Sequence, residues 1–210
     1  MKKAAVGFRV HSGWCAVVAV CLENGRPRVL LRERPHLVEE FTYKYRQPYH
    51  TAEKMSSTAG REFIHKARTE ATSLACQTIV RVQSSLEPLG YQLTSGALLL
   101  AAARPLPELA HILASHALIH TADGELFRDA ISRAHVRHEV PLVCMKEREL
   151  DSEAAQCLRL RTPALRTRLT ELGKPFGSPW SQDEKFAALA AWLALSGTHQ
   201  NAPHKNRKLA

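Results

Sequence analysis

The stretch "AVGFRVHSGWCAVVAVCLENGRPRVLLRER", residues 5–34, decides the fold. Two turn motifs divide it into three apolar, β-rich segments. Asn24-Gly25 is the strongest short hairpin motif, because a type I′ turn needs positive φ at both central residues. His11-Ser12-Gly13 forms the other turn. We therefore predict three consecutive antiparallel strands, at residues 4–10, 14–22 and 27–33.

Strands and helices alternate along the rest of the chain. A long helix over about residues 53–86 is indicated by an apolar residue at every third or fourth position. The apolar segments LTSGALLLAAA, with a strand at 97–103, and VPLVCM, at 140–145, are typical of buried strands. Further helices are expected over about 107–120, from Asp123, over 151–161 and 164–172, and from Ser181, where SQDE is a capping box.

The order β-β-β-α-β-α-β-α-α predicts an α/β fold with one mixed five-stranded sheet and helices on both faces. This order resembles the ribonuclease H-like fold, nearest to its Holliday-junction-resolvase branch and to related predicted nucleases. The resemblance is carried by VGFRVHSGW, the Asn-Gly hairpin, the apolar fourth strand and the final helix DEKFAALAAWLAL. It covers about residues 4–196. We therefore expect a single domain over 1–196, followed by a basic, disordered tail over 197–210.

The resemblance implies a nuclease in which acids on the first strand, the fourth strand and the last helix hold two divalent ions. Such ions activate water and stabilise the leaving oxygen of a phosphodiester. This sequence departs from that pattern, because Arg9 lies on the first strand, the fourth strand has no acid and ends at Arg104, and Lys185 follows the acids of the last helix. Nearby cations repel Mg²⁺ or Mn²⁺. Two-metal cleavage is therefore not expected, and no cofactor is predicted.

The same cations predict a site for an anion. If Arg9, Arg104 and Lys185 converge, they suit phosphate or carboxylate. The turn at Ser12 could add backbone N–H donors. The alternative is that these side chains are solvated, or that they pair with the two acids at the start of the last helix.

Composition narrows the classes of function. The 210 residues include 29 Lys and Arg against 20 Asp and Glu, a net charge of +9 that favours polyanionic partners. No apolar run approaches the roughly 20 residues that a membrane span needs. Five cysteines without a CxxC pair fit a reduced, cytoplasmic setting. Our preferred hypothesis is binding of nucleic acid or a phosphorylated ligand without cleavage.

Two other functions stay open. A divergent metal-dependent nuclease or other hydrolase would use His11 as a general base together with Asp183 or Glu184. Its nuclease form would need Mg²⁺ or Mn²⁺. His11 is otherwise a polar turn residue, and Glu184 a helix cap. The third function is a protein–protein interaction module on the same fold, without an active site. Separately, Trp192 is expected on an outer helix face, where it would mark a homodimer contact.

Two groups of side chains have competing interpretations. His116 with His120, and His135 with His138, are spaced to share one helix face. No motif supplies further ligands, so no metal site is predicted, and the second pair is expected on the surface near a helix C-terminus. The alternation in FTYKY, residues 41–45, favours an edge strand or hairpin arm over a base-stacking loop.

Overall fold

Three antiparallel strands open the computed structural model, which describes residues 1–101 and 105–197. They are β1 (Lys2–His11), β2 (Trp14–Glu23) and β3 (Arg26–Glu33). The turn between β2 and β3 has φ values of 51° at Asn24 and 73° at Gly25, as a type I′ turn requires. The predicted hairpin and strands are confirmed, each strand being slightly longer than expected.

The sheet has five strands in the order β3-β2-β1-β4-β5. Strands β4 (Tyr91–Leu100) and β5 (Leu142–Lys146) run parallel to β1, whereas β2 is antiparallel to both of its neighbours. The predicted mixed α/β sheet is therefore confirmed. β4 begins earlier than predicted, at Tyr91, because its first half pairs with the start of β1. Positions 102 and 103 of the predicted strand, like the tail from 198 onward, lie outside the described residues.

Helices cover both faces of this sheet. In chain order they are α1 (Tyr43–Arg46), α2 (Pro48–Ala52), α3 (Ser57–Leu86), α4 (Leu109–Leu113), α5 (His116–Arg137), α6 (Leu150–Cys157), α7 (Thr162–Leu172) and α8 (Gln182–Leu195). Helices α3 and α5 belong to one apolar cluster with one face of the sheet, and α6, α7 and α8 belong to a second cluster on the other face. None of the helices within 1–101 and 105–197 is long and apolar enough to cross a membrane.

Four local expectations were wrong, each because tertiary packing decided the outcome. FTYKY does not form an edge strand, since α1 begins at Tyr43 and Tyr45 packs against Phe63 of α3.

Helix α5 begins at His116 rather than at residue 123, and its first turns pack into the core. Trp192 is only 4% exposed in the α8 cluster, so it offers no dimer contact, and His135 is buried under the sheet rather than on the surface.

Strand β1 separates the two clusters by the alternation of its side chains. Val6, Phe8 and Val10 belong to the cluster of α3 and α5, and Ala5 belongs to that of α8. With the period of two of a strand, Arg9 therefore shares the face of Ala5 and α8.

Gly7 lies between Ala5 and Arg9 on this face, where there is no room for a side chain. A Cβ at this position would overlap the backbone carbonyl of Ala187 in α8. The main chains of β1 and α8 are therefore in direct contact. This close approach brings the first turn of α8 beside Arg9.

Candidate functional site

The candidate site lies where β1, β4 and β5 end, at a shared edge of the sheet. Parallel strands place their carboxyl ends together, and open α/β sheets bind ligands outside such edges. Helix α8 also begins here. A cleft of about 580 Å³ occupies this edge and is lined in part by Arg9, His11, Arg128, Glu147, Arg148 and Phe186.

Arg9 connects two carboxylates in this cleft. Its Nε and Nη2 donate to the two oxygens of Glu147, at 3.0 and 2.6 Å, in a planar fork. Its Nη1 donates to Oδ1 of Asp183, and its Cζ lies 5.3 Å from the centre of the Phe186 ring. The guanidinium therefore occupies the space between an acid that follows β5 and an acid on the first turn of α8.

These contacts shift the pKa values of both Arg9 and Asp183. Hydrogen bonding to Glu147 raises the pKa of Arg9, against the opposing effect of partial burial. Burial alone would raise the pKa of Asp183, but the hydrogen bonds and charges of His11 and Arg9 outweigh it and lower that pKa. The network therefore favours a charged guanidinium and a charged carboxylate.

His11 is the second partner of Asp183. Its Nε2 lies 2.8 Å from Oδ1 of Asp183, and its ring stacks on Trp14 with centroids 4.4 Å apart. One third of the His11 side chain is exposed to the cleft. The strand and the helix thus form a histidine–carboxylate pair, the arrangement from which a general base is built.

Glu184 has a different set of partners. It is fully buried, and it accepts hydrogen bonds from Nε of Arg34 at 2.5 Å and from the backbone N–H of Ser181 at 2.8 Å. Ser181 Oγ accepts in turn from the N–H of Asp183 at 3.2 Å, and the predicted capping box is confirmed. Burial would raise the pKa of Glu184, but the bonds from Arg34 and Ser181 lower it to about 2.

The other two predicted anion-binding residues that the structure describes, Ser12 and Lys185, are not among the residues that line the cleft. The carbonyl of Ser12 accepts from Nε of Arg46 at 3.1 Å. Lys185 is half-buried on the first turn of α8. Arg104 lies outside the described residues. The structure therefore unites Arg9, His11 and Asp183, and it directs Glu184 toward other partners.

Sequence reasoning missed Glu147 and Arg34. Glu147 directly follows β5, although the resemblance points to the fourth strand for an acid. Arg34 directly follows β3, and it contacts both Glu184 and Asp183, the latter at 3.8 Å. A charged residue just after a strand, at the edge of the sheet where parallel strands end, was the available signal for both.

Divalent ions of the kind implied by the resemblance need oxygen ligands that are not already bound to a cation. Arg9 already joins Glu147 to Asp183, and Asp151, which also lines the cleft, pairs with Arg166 at 3.3 Å. The guanidinium of Arg9 would also repel an ion placed beside it. In this arrangement the described residues do not fit a two-metal centre.

Comparison with known proteins gives a similarity of fold. No protein-family model and no curated protein matches the chain. The structure of Thermus thermophilus RuvC in complex with a Holliday junction substrate aligns at 12% identity and a TM-score of 0.50, covering 95% of this chain and 96% of that chain. A second Thermus thermophilus RuvC structure aligns at 12% identity and a TM-score of 0.49, covering 94% and 96%. The chain therefore has the ribonuclease H-like fold, in the arrangement seen in a Holliday-junction resolvase.

Proposed function

We propose that this protein binds nucleic acid, or another phosphorylated ligand, along the edge where the strands end, and that it does not cleave its ligand with two metal ions. The observation that carries the proposal is the guanidinium of Arg9 between Glu147 and Asp183. A cation in that place suits a phosphate and opposes Mg²⁺. The protein is thus a catalytically degenerate relative of nucleases in its fold.

Arg9 keeps donors for a ligand despite its two partners. A guanidinium has five N–H donors, and three of them are used by Glu147 and Asp183. The other two are not used by these carboxylates, and the Arg9 side chain is 21% exposed. We assign Ser12, Arg104 and Lys185 to the same anion contact, as the sequence analysis predicts.

Arg148 adds an accessible positive charge to this edge. It lines the cleft and its side chain is 66% exposed, with a surface contact to Glu149. Exposed arginines of this kind supply most of the sequence-independent affinity for a phosphate backbone. The net charge of +9 acts in the same direction.

The test is fluorescence anisotropy with a short duplex, a single strand and a four-way junction over a salt series. We expect affinity to fall steeply with salt. Arg148→Gln should weaken binding to all three probes and reduce the salt slope by about one. The matched control is Arg137→Gln, because this exposed arginine ends α5 at the opposite end of β5 and should leave binding unchanged. Competition by inorganic phosphate or a nucleotide would identify a small phosphorylated ligand instead.

Two results would contradict the proposal. The first is the absence of binding to any of the probes at low salt. The second is cleavage of the junction in Mg²⁺ or Mn²⁺ that depends on Asp183. We expect no such cleavage by the wild type or by Arg9→Met.

A second candidate function is hydrolysis by His11, favoured by its 2.8 Å contact with Asp183. With Nε2–H bonded to the carboxylate, Nδ1 would accept a proton from water. The test is product formation from junction, RNA–DNA and flap substrates, with and without Mn²⁺. His11→Ala and Asp183→Asn should each abolish it, whereas His65→Ala, at an exposed position of α3, should have no effect. The absence of product from all substrates would exclude this candidate.

A further inference from the structure

Three histidines from two helices meet on the side of the sheet covered by α3 and α5. His50 lies on α2, and His116 and His120 lie on the first two turns of α5. One ring nitrogen from each lies within 4.8 Å of the other two. We propose that these residues form a binding site for a transition-metal ion of the zinc type.

His116 and His120 already have the spacing of two metal ligands. Their Nε2 atoms lie 3.1 Å apart, as the i, i+4 relationship on one helix face allows. Ligand nitrogens about 2.0–2.1 Å from a tetrahedral zinc lie roughly 3.3–3.4 Å from each other. The pair therefore needs to open by only a few tenths of an ångström, and both side chains are exposed and able to adjust.

His50 is the oriented member of the group. It is 7% exposed, and its Nδ1 lies 2.5 Å from Oδ2 of Asp123, which is 1% exposed. The other oxygen of Asp123 accepts from the backbone N–H of Tyr49 at 2.7 Å. A carboxylate bonded to one ring nitrogen holds the proton there and leaves the other nitrogen as a ligand, which is the arrangement found behind metal-binding histidines.

The rings are also close enough to converge. The centroid of His50 lies 4.4 Å from that of His120 and 5.4 Å from that of His116. A metal site whose protein ligands are three imidazoles, with no thiolate or carboxylate among them, suits Zn²⁺, Co²⁺, Ni²⁺ or Cu²⁺ rather than Mg²⁺. Since two of the histidines are exposed, a water molecule can take the fourth position.

One electrostatic effect opposes a cation here, and another favours it. The N-terminal end of α5 carries partial positive charge within its first turn. The carboxylate of Asp123, about one turn from His120, supplies the opposite charge. A metal at this place would join α2 to α5. The site lies on the face opposite α8, so it is separate from the cleft around Arg9.

The experiment is a titration of the untagged full-length chain with Co²⁺, followed by displacement with Zn²⁺. We expect one equivalent of Co²⁺ to bind and to produce the strong visible absorption of a tetrahedral ion, and one equivalent of Zn²⁺ to remove it. His116→Ala and His120→Ala should each weaken binding at least about tenfold. Both positions are exposed, so the variants should retain the far-ultraviolet circular dichroism of the wild type.

His65→Ala, an exposed histidine on α3, is the matched control and should bind as the wild type does. Asp123→Asn tests the positioning role, and it should weaken Co²⁺ binding by about ten- to a hundredfold in a folded variant. The proposal is overturned if the wild type binds no stoichiometric Co²⁺ or Zn²⁺ at neutral pH. Equal loss of binding in His65→Ala and His120→Ala would overturn it as well.

Discussion

Arg9 and Glu147 form a two-bonded fork, although 138 residues separate them in the chain. Arg9 lies two residues before the end of the central strand and Glu147 follows the edge strand, with β4 between them. The fork fixes the charge balance of the cleft. It leaves a pair of carboxylates around one cation, where the resemblance drawn from the sequence implies carboxylates around metal ions.

Arg9→Asp should convert this cleft into a cation site. The variant would place a third carboxylate beside Glu147 and Asp183, and repulsion should lower the free energy of unfolding by about 2 kcal/mol, or roughly 4–8 °C in Tm for a domain of this size. Adding Mn²⁺ should restore several degrees to the variant and none to the wild type. Differential scanning calorimetry with and without Mn²⁺ measures both effects.

Arg9→Met is the control for this experiment, since it removes the cation without adding an acid. It should be destabilised too, and Mn²⁺ should restore less of its Tm. An equal Mn²⁺ response in the wild type would show that the arginine does not keep divalent ions out of the cleft.

Glu184 should make stability depend on pH in the acid range. Its pKa is lowered from 4.5 to about 2 in the folded chain. Its contribution is therefore complete above pH 4.5 and is lost as the pH falls toward 2, on the order of 3 kcal/mol in all. Glu184→Gln should be less stable than the wild type at pH 7, and the difference should shrink steadily below pH 4.5 in urea unfolding curves.

Glu171→Gln, at an exposed position of α7, should leave that profile unchanged. A constant difference between Glu184→Gln and the wild type from pH 7 to pH 3 would mean that the charge of Glu184 is not what stabilises the start of α8.

His135 should produce a second pH dependence, nearer neutrality. It is 1% exposed, its Nδ1 is bonded to the carbonyl of Ile131, and its Nε2 is buried without a hydrogen-bond partner among the described residues. Burial lowers its pKa from 6.5 to about 4. Only the unfolded chain binds the proton between these values, so stability should fall by about 2 kcal/mol from pH 7 to pH 5.

His135→Leu should flatten this part of the pH profile, measured by urea unfolding at pH 7, 6 and 5. His138→Ala, three residues further on, should retain it. A wild-type stability that does not change between pH 7 and pH 5 would contradict the assignment.

Gly7→Ala should be among the most damaging small substitutions in the chain. Its methyl group would overlap the carbonyl of Ala187. Because the atoms that it would meet belong to the packed main chain of α8, the helix has to move. We expect a loss of about 3 kcal/mol or more, at the upper end for overpacking. Chemical denaturation measures it, and the same variant should weaken ligand binding because Lys185, which we assign to the anion contact, moves with α8.

Gly124→Ala is the matched substitution. Its methyl group would meet the flexible end of Arg128, and alanine favours a helix over glycine by about 1 kcal/mol. We expect it to be neutral or stabilising. A loss in Gly124→Ala equal to that in Gly7→Ala would remove the special role of the contact between β1 and α8.

The sheet was predictable because its signals are local. Asn24-Gly25 specifies its turn through two positive φ values, and the cap at Ser181 uses atoms within three residues. The partners in the cleft were not predictable in this way. Glu147 meets Arg9 only because β5 lies two strands from β1 in the sheet. The local sequence around residue 147 does not indicate that Arg9 is its partner.

The burial of α5 shows the same limit. The spacing of His135 and His138 fits either an exposed or a buried face, and the edge of Phe8 and the absence of a side chain at Gly96 decide that His135 points inward. Likewise His50 lies on the short helix α2, so its approach to His116 depends on how α2 packs against α5.

The contact between Gly7 and α8 bears on how relatives of this chain are to be found. A search for the acids of a nuclease fails at residue 9, where an arginine stands. The contact of β1 with α8, by contrast, leaves no room for a side chain at Gly7, because the atoms nearest to it are main-chain atoms of Ala187 and Ala191. We expect homologues that differ in every charge of the cleft to keep a glycine at this position. It is a search criterion independent of the chemistry of the cleft, and it would group chains by the packing of β1 against α8 that they share.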